Sequence, residues 1–315
     1  MKGVSFLKKS KKIAVFLGVF LALAAVFYFA LQPKTNSALK TNTTTKTATS
    51  KAIKQKKKIT LTAVGDSLTY GVGDTTNKGG YVALIKQKLV KQNKLQVTTY
   101  NYGKTGDRSE QIEKRVLESK TIQKNLKNAD VITLTVGGND LMQVLQKNFL
   151  YLANNTLSST MPSAKKSYAK KLTSLLKTIR KYNKDAPIFM FSVYNPFYVY
   201  FPTLTQIQQY TDEWNEVSKK VIASDSKIYF VDINKQLSEG QYYGKSKSSL
   251  KNSTTTDLNN VSDGKLETML SDTEEKNDYL SSEDHFHPNN KGYRYMTSQL
   301  YKVMMAHKKT WLEEN

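Results

Sequence analysis

The chain has 315 residues, with 48 Lys plus Arg, 26 Asp plus Glu and no cysteine. Its length and 39% hydrophobic content allow one large or two small domains with a true core, which argues against wholesale disorder. The absence of cysteine excludes disulfide frameworks, thiolate metal sites and thiol nucleophiles. The net charge of +22 is uneven, because residues 1–58 carry 13 Lys and no acid. Since more than half of the excess lies outside any folded part, the charge does not indicate a nucleic-acid binder.

The N-terminal segment predicts a membrane anchor. Ile13–Leu31 is a run of 19 residues without a charge, and four lysines directly precede it. As a helix this run would span about 28 Å, one bilayer core, and the lysines favour a cytoplasmic N-terminus. We therefore expect a basic cytoplasmic stub at 1–12 and a transmembrane signal anchor at 13–32. Tyr28 stands where a signal peptidase site would need a small residue, which favours an uncleaved anchor.

Residues 33–58 are rich in Thr and Lys and have almost nothing apolar to bury, so they predict a solvated linker. The remainder, 59–315, is then one extracellular domain on a single-pass cell-membrane protein. If the anchor were cleaved, this domain would be secreted.

The rest of the chain alternates short β-branched or aromatic runs with segments of helical period, a pattern typical of a parallel sheet covered on both faces. The predicted strands are Ile59–Val64, Gln96–Tyr100, Val131–Val136, Ile188–Val193 and Ile228–Ile233. Apolar stripes at spacings of 3 and 4 predict helices around Tyr168–Tyr182, Ile207–Val221 and Tyr293–Val303. The polar segment from about 237 to 282 is weakly periodic, which predicts a long surface excursion.

Four motifs provide residues for acyl transfer, three of them at predicted strand ends, where open α/β sheets gather function. Ser67, in G-D-S-L after the first strand, is the predicted nucleophile. His287 is its predicted base, and Asp284, three residues earlier, is expected to orient the imidazole. The backbone N–H groups of Ser67 and Gly103 and the side-chain amide of Asn139 are expected to form an oxyanion hole.

These motifs resemble those of the SGNH hydrolases, also called GDSL esterases and lipases. Ser67, Gly103 in N-x-G, Asn139 in G-x-N-D and His287 in D-x-x-H-P follow the family's order, and the resemblance covers essentially all of 59–315. With its anchor and linker, the chain is most similar to membrane-tethered GDSL-like lipase/acylhydrolases of Gram-positive bacteria. The resemblance implies a three-layer αβα sandwich with a five-stranded parallel sheet, and ester hydrolysis without a cofactor.

Other polar residues near the motifs have structural interpretations. Asp66 is expected to fix the turn around Ser67, and Asp140 to cap the helix that follows it. His285 lies two residues from His287 and suggests a metal site, but zinc usually has three or four protein ligands and the chain has three histidines. We therefore predict no metal. His307 is expected on the surface of the last helix.

The sequence leaves the substrate and one alternative function open. The ester is either a lipid acyl ester or an O-acetyl group on a wall glycan. An apolar pocket built by the aromatic cluster 194–202 would favour lipids and a shallow polar cleft would favour glycans, although ordinary packing also explains the cluster. The alternative is a non-catalytic, tethered module that binds cell wall or lipid on the same fold.

Overall fold

The computed structural model describes residues 54–147, 159–202, 204–246, 250 and 275–314. The predicted stub, anchor and most of the linker lie outside these ranges. None of the helices within the described ranges combines the length and apolarity needed to cross a bilayer.

The described residues contain a parallel sheet whose strands match the five predicted runs. The strands are β1 (Lys58–Gly65), β2 (Gln96–Gly103), β3 (Val131–Thr135), β4 (Ile188–Phe191) and β5 (Ile228–Val231). Their order in the sheet is β2-β1-β3-β4-β5, and every neighbouring pair is parallel. The order reverses on either side of β1, so the crevice between the carboxyl ends of β1 and its neighbours is the expected position of a functional site.

Helices cover both faces of the sheet, as predicted. In chain order they are α1 (Ser67–Tyr70), α2 (Gly80–Asn93), α3 (Ser109–Glu118), α4 (Lys120–Lys127), α5 (Gly138–Lys147), α6 (Met161–Tyr182), α7 (Thr205–Ile222), α8 (Asn234–Glu239) and α9 (Asn290–Ala306). Helices α2 and α9 pack on one face and α3 to α7 on the other. The three predicted helical stripes fall within α6, α7 and α9.

The alternation of side chains along the strands explains this three-layer arrangement. In β4, Phe189 and Phe191 belong to the core beneath α2 and α9, whereas Ile188 and Met190 belong to the core beneath α3 to α7. Successive side chains of a strand point to opposite faces, so a strand that is apolar at every position needs a covering layer on each side.

The ends of the predicted surface excursion are built into the domain, which corrects that prediction for the part of it that the structure describes. Leu237, in α8, and Asn277 are fully buried. The Asn277 side-chain amide donates to the carbonyl of Leu237 at 2.8 Å, so the polar residue closes the core by bonding backbone groups. Weak periodicity had suggested exposure because buried hydrogen bonding of this kind leaves no apolar pattern. Residues 247–249 and 251–274 lie outside the described ranges.

Candidate active site

Ser67 is the first residue of α1 and lies two residues after the end of β1. Asp66 caps this short helix by accepting a hydrogen bond from the Leu68 N–H at 3.0 Å. The helix ends at Gly71, whose φ of 102° lies in the left-handed region that favours glycine. The tight strand-to-helix turn holds the Ser67 side chain at the carboxyl ends of the strands. Asp66 thus has the structural role that was predicted for it, since its cap fixes this turn.

The Asp66 carboxyl is buried and bonds across to the next strand. Thr135, the last residue of β3, donates its hydroxyl to Asp66 Oδ1 at 2.7 Å and accepts from the Asp66 N–H at 3.2 Å. Burial raises the pKa of Asp66, although the hydrogen bonds from Thr135 and Leu68 act in the opposite direction. Thr135 thus links the nucleophile turn to β3, a role that its place in an ordinary β-branched run did not indicate.

The structure brings together the three residues predicted as nucleophile, base and orienting acid. His287 Nε2 lies 2.8 Å from Ser67 Oγ, and His287 Nδ1 lies 2.6 Å from Asp284 Oδ2. The other carboxylate oxygen of Asp284 accepts from the backbone N–H groups of Phe286 and His287 at 3.0 and 2.9 Å. This local turn is why a spacing of three residues directs both side chains towards Ser67.

Hydrogen bonds keep the Asp284 carboxyl in its ionised form. Burial alone would raise the pKa of Asp284, but the bonds from the His287 ring and from the two backbone N–H groups outweigh it and hold the pKa below the ordinary value. The Asp284 carboxylate only accepts hydrogen bonds, so it selects the His287 tautomer with the proton on Nδ1. In that neutral tautomer, Nε2 is the acceptor that faces Ser67 Oγ.

A lowered carboxyl pKa in the folded state stabilises the fold at pH values above the unfolded value, and this stabilisation is lost as pH falls through the lowered pKa. We expect Asp284→Asn to lower the melting temperature by about 2 to 4 °C at pH 7. The difference from wild type should shrink as pH falls below the ordinary value of 3.8, because the wild-type carboxylate is then protonated. Thermal melts of both proteins from pH 7 to pH 3 provide the test. A difference that stays constant or widens on acidification would contradict it.

Asn139, the second residue of α5, and Ser67 both line one cavity, which is described below. Asn139 Nδ2 donates one hydrogen to the backbone carbonyl of Asp107 at 2.9 Å. That bond fixes the orientation of the amide, and the second hydrogen of Nδ2 remains for an oxyanion.

Gly103 is the last residue of β2 and pairs with Gly65 at the end of β1. Its N–H donates to Asn101 Oδ1 at 2.9 Å, and the Asn101 amide in turn donates to the carbonyl of Thr69 at 2.7 Å. An oxyanion held by Gly103 would therefore share this hydrogen with Asn101. The sequence showed Asn101 only as the first residue of N-x-G and did not predict these two hydrogen bonds.

Gly103 has no room for a side chain. A Cβ at this position would lie 2.0 Å from the backbone nitrogen of Tyr70 and 2.5 Å from the carbonyl carbon of Thr69. We expect Gly103→Ala to push β2 away from α1 and to cost about 1 to 3 kcal/mol of unfolding free energy. Urea denaturation measures this loss, with Gly138→Ala as the control, because a Cβ at Gly138 meets nothing within 4 Å. Equal stability of the two variants would contradict the expectation.

An apolar cavity of about 40 Å³ opens next to Ser67. Its apolar wall combines residues of α1, α5 and α7 with parts of the loops that follow β3 and β4 and of the loop that precedes α9. These wall residues are Leu68, Val136, Leu141, Met142, Leu145, Val193, Pro196, Phe197, Ile207 and Phe286. Tyr194, Pro196 and Phe197 come from the aromatic cluster, whereas Tyr200 of that cluster is buried and does not line the cavity. The cluster therefore contributes both to the cavity wall and to interior packing.

Two of the remaining predictions need correction. Asp140 does not cap its own helix, because its carboxylate accepts from the N–H and hydroxyl of Ser109 at 2.9 and 3.0 Å, at the start of α3. His307 is half-buried rather than on an open surface, since its ring stacks on Tyr229 with centroids 3.7 Å apart. Both contacts join segments remote in sequence, so local pattern did not indicate them.

His285, the second histidine of the motif, is buried and turned away from Ser67. Its Nδ1 lies 2.9 Å from the Tyr200 hydroxyl and 2.5 Å from Glu275 Oε2. Its positive φ of 55° explains how two histidines separated by one residue diverge. The ring ties the loop that carries Asp284 and His287 to the segment after β4.

Residues 63–295 match the model of the GDSL-like Lipase/Acylhydrolase family. An uncharacterized protein of Bacillus subtilis, YpmR, is 31% identical over 252 residues, which cover 80% of this chain and 83% of that protein. The spore germination lipase LipC of Bacillus licheniformis is 32% identical over 140 residues, 43% of this chain and 64% of LipC. The crystal structure of the lipase Lip_vut3 from a goat rumen metagenome aligns with a TM-score of 0.56 at 25% identity. That alignment covers 78% of this chain and 97% of the lipase.

Proposed function

We propose that this chain works through an acyl-enzyme on Ser67. The chain belongs to the GDSL-like lipase/acylhydrolase family and is a carboxylic ester hydrolase. The observation that carries the proposal is the unbroken series of hydrogen bonds from Ser67 Oγ through the His287 ring to Asp284. Such a series provides a nucleophile, a base and a group that orients the base.

The proposed reaction has two steps. His287 Nε2 takes the proton of Ser67 Oγ while the oxygen attacks the ester carbonyl, and Asn139 and the Ser67 and Gly103 N–H groups stabilise the resulting oxyanion. His287 then gives its proton to the leaving alcohol, which leaves an acyl group on Ser67. Water, deprotonated by His287, attacks the acyl-enzyme; the acid departs and Ser67 recovers its proton.

The character of the cavity beside Ser67 indicates that it binds the acyl group of the substrate. Its wall is largely apolar, which suits a hydrocarbon chain better than a sugar. A water molecule needs about 10 to 15 Å³ of such space, so about 40 Å³ accommodates only a few heavy atoms. We therefore propose short acyl esters as substrates, a class that includes O-acetyl groups on glycans and excludes long-chain lipids unless the wall moves.

The size of the cavity leads to a prediction about chain length. We expect the full chain, kept in mild detergent, to hydrolyse nitrophenyl acetate and butyrate with kcat/KM at least about 10-fold higher than nitrophenyl palmitate, because each extra methylene must displace wall atoms. Leu145→Ala enlarges the cavity and should shift the preference towards longer chains. Leu126→Ala removes an equally apolar residue of the same core that does not line the cavity, and should not shift it. A palmitate preference in the wild type would contradict the proposal.

We further propose that residues 13–32 anchor the enzyme in the cell membrane and that the catalytic domain is extracellular. The support is the 19-residue uncharged run after four lysines. Carbonate-washed membranes should retain the full chain, and its N-terminal peptide should be detected in the retained protein. Recovery of a shortened chain in the culture medium would instead indicate cleavage and secretion.

The intact series of hydrogen bonds from Ser67 Oγ through the His287 ring to Asp284 argues against the alternative of a non-catalytic binding module on the same fold. Such a module would bind wall or lipid material and hydrolyse no ester in the chain-length series.

A further inference from the structure

Arg115, on α3, contacts the ends of both strands that lie next to Ser67. Its Nη2 donates to the carbonyl of Gly65 at 2.8 Å, and its Nη1 donates to the carbonyl of Tyr102 at 3.1 Å. Its Nε donates to Asp107 Oδ2 at 2.5 Å. The side chain is only 20% exposed, and that of Asp107 only 7%. A planar guanidinium thus spans β1, β2 and the loop after β2 with a fixed fork of donors.

The bond to Tyr102 fixes the direction of one predicted oxyanion donor. The carbonyl of Tyr102 and the N–H of Gly103 belong to the same peptide unit, which is planar. A guanidinium that holds the oxygen therefore also sets the direction in which the Gly103 N–H points. The bond to Gly65 fixes the end of β1 in the same way, two residues before Ser67.

The bond to Asp107 reaches a second donor. The backbone carbonyl of Asp107 accepts the hydrogen bond from Asn139 Nδ2 at 2.9 Å, and the Asp107 carboxylate is held by Arg115. The orientation of the Asn139 amide thus depends on the placement of residue 107. One side chain, that of Arg115, supports two groups that come from different layers of the fold.

From this geometry we propose that Arg115 is a positioning residue for the oxyanion hole. It contacts neither the reacting atoms nor the cavity beside Ser67; it sets the direction of the Gly103 N–H and of the Asn139 amide. The inference rests on the proposed function of Ser67 and adds to it a residue that none of the four motifs contains. Misdirected oxyanion donors lower the rate of the chemical step and change the affinity for substrate little, because the oxyanion exists only in the transition state and the intermediate.

The chain offers a matched control, Arg180, at the amino ends of the strands. Arg180 Nε donates to Asp225 Oδ2 at 2.6 Å, and its terminal nitrogens donate to the carbonyl of Ala186 at 2.6 Å and that of Lys227 at 3.4 Å. Its side chain is 17% exposed. Arg180 therefore has the same chemistry and burial as Arg115, but it braces the amino ends of β4 and β5.

The test compares Arg115→Met and Arg180→Met in the full chain, kept in mild detergent. Kinetics with nitrophenyl acetate should show that Arg115→Met lowers kcat about 10- to 100-fold with little change in KM. Its affinity for a trifluoromethyl ketone, which forms an anionic hemiketal with the serine, should fall by the same factor as kcat/KM. Arg180→Met should lose a similar amount of thermal stability and keep the wild-type kcat. Arg115→Lys keeps the charge without the fork and should lie between Arg115→Met and wild type.

Several results would overturn the inference. One is a kcat of Arg115→Met within about 2-fold of wild type, and another is an equal loss of kcat in Arg180→Met, which would indicate a purely structural role. A loss of ketone affinity much smaller than the loss of kcat/KM would also reject it. If Arg115→Met does not fold, Arg115→Lys is judged against Arg180→Lys by the same criteria. If folded wild type hydrolyses no ester, the proposed function fails first and the inference fails with it.

Discussion

Replacing Ser67 with Ala is expected to lower kcat for nitrophenyl acetate by about 10⁴- to 10⁶-fold, the range found when one residue of a catalytic triad is removed. The physical reason is that Ser67 Oγ is the only atom proposed to form a bond to the substrate. Without it, His287 can at best activate water. The Ser67 hydroxyl bonds to the His287 ring at 2.8 Å, and its removal, which leaves a methyl side chain, does not touch the helix cap at Asp66. We therefore expect the melting temperature to change by no more than a few degrees.

The melting temperature of Ser67→Ala must be measured together with its kcat, because it separates loss of the nucleophile from loss of the fold. A Ser67→Ala protein that melts like wild type and is inactive supports the proposed nucleophile. A folded Ser67→Ala protein that retains more than about 1% of the wild-type kcat would contradict it, because a residual rate of that size requires another nucleophile.

The second large effect is expected from Asn139→Ala. Removing one oxyanion donor costs about 10² to 10³ in kcat in other hydrolases, and KM should change little because the donor acts on charge that develops only after attack. The measurement is steady-state hydrolysis of nitrophenyl acetate.

Asn183→Ala is the control for Asn139→Ala. Asn183 also donates its side-chain amide to backbone carbonyls, those of Leu126 and Ala129 at 2.7 and 2.9 Å. It lies at the amino ends of the strands, away from Ser67. Its loss should reduce stability and leave kcat unchanged. An unchanged kcat in Asn139→Ala would remove this residue from the mechanism.

The sequence predicted the sheet because its inner strands are buried on both faces. Every residue of Val131–Thr135 and of Ile188–Phe191 is buried, so these strands are continuous apolar or β-branched runs between polar helices. It also predicted that Ser67 and Asn139 lie together, since both follow a strand and the carboxyl ends of parallel strands share one edge; the two residues line the same cavity. The position of His287 followed from its motif, although 220 residues separate it from Ser67.

The contacts that support the site were not predictable in the same way. Thr135, Arg115 and Asn101 act through two or three hydrogen bonds each, mostly to groups on other elements of the fold, and an isolated polar residue has no period. The same holds for Asp140, whose partner Ser109 lies 31 residues earlier in the chain. Patterning therefore indicated the fold and the reacting groups, whereas the residues that hold those groups in place required the three-dimensional structure.

The most direct test of the catalytic serine is covalent labelling of the full chain with a fluorophosphonate, followed by mass spectrometry of its peptides. The probe reacts with a serine whose proton is accepted by a neighbouring base. Ser192 provides a control at the same cavity, because this residue also lines the wall but its hydroxyl bonds to Asp232 at 3.2 Å rather than to a histidine. We predict a single adduct on Ser67 that is absent from Ser67→Ala and retained in Ser192→Ala. Labelling that persists in Ser67→Ala, or an adduct on another residue of the wild type, would contradict the assignment of Ser67 as the nucleophile.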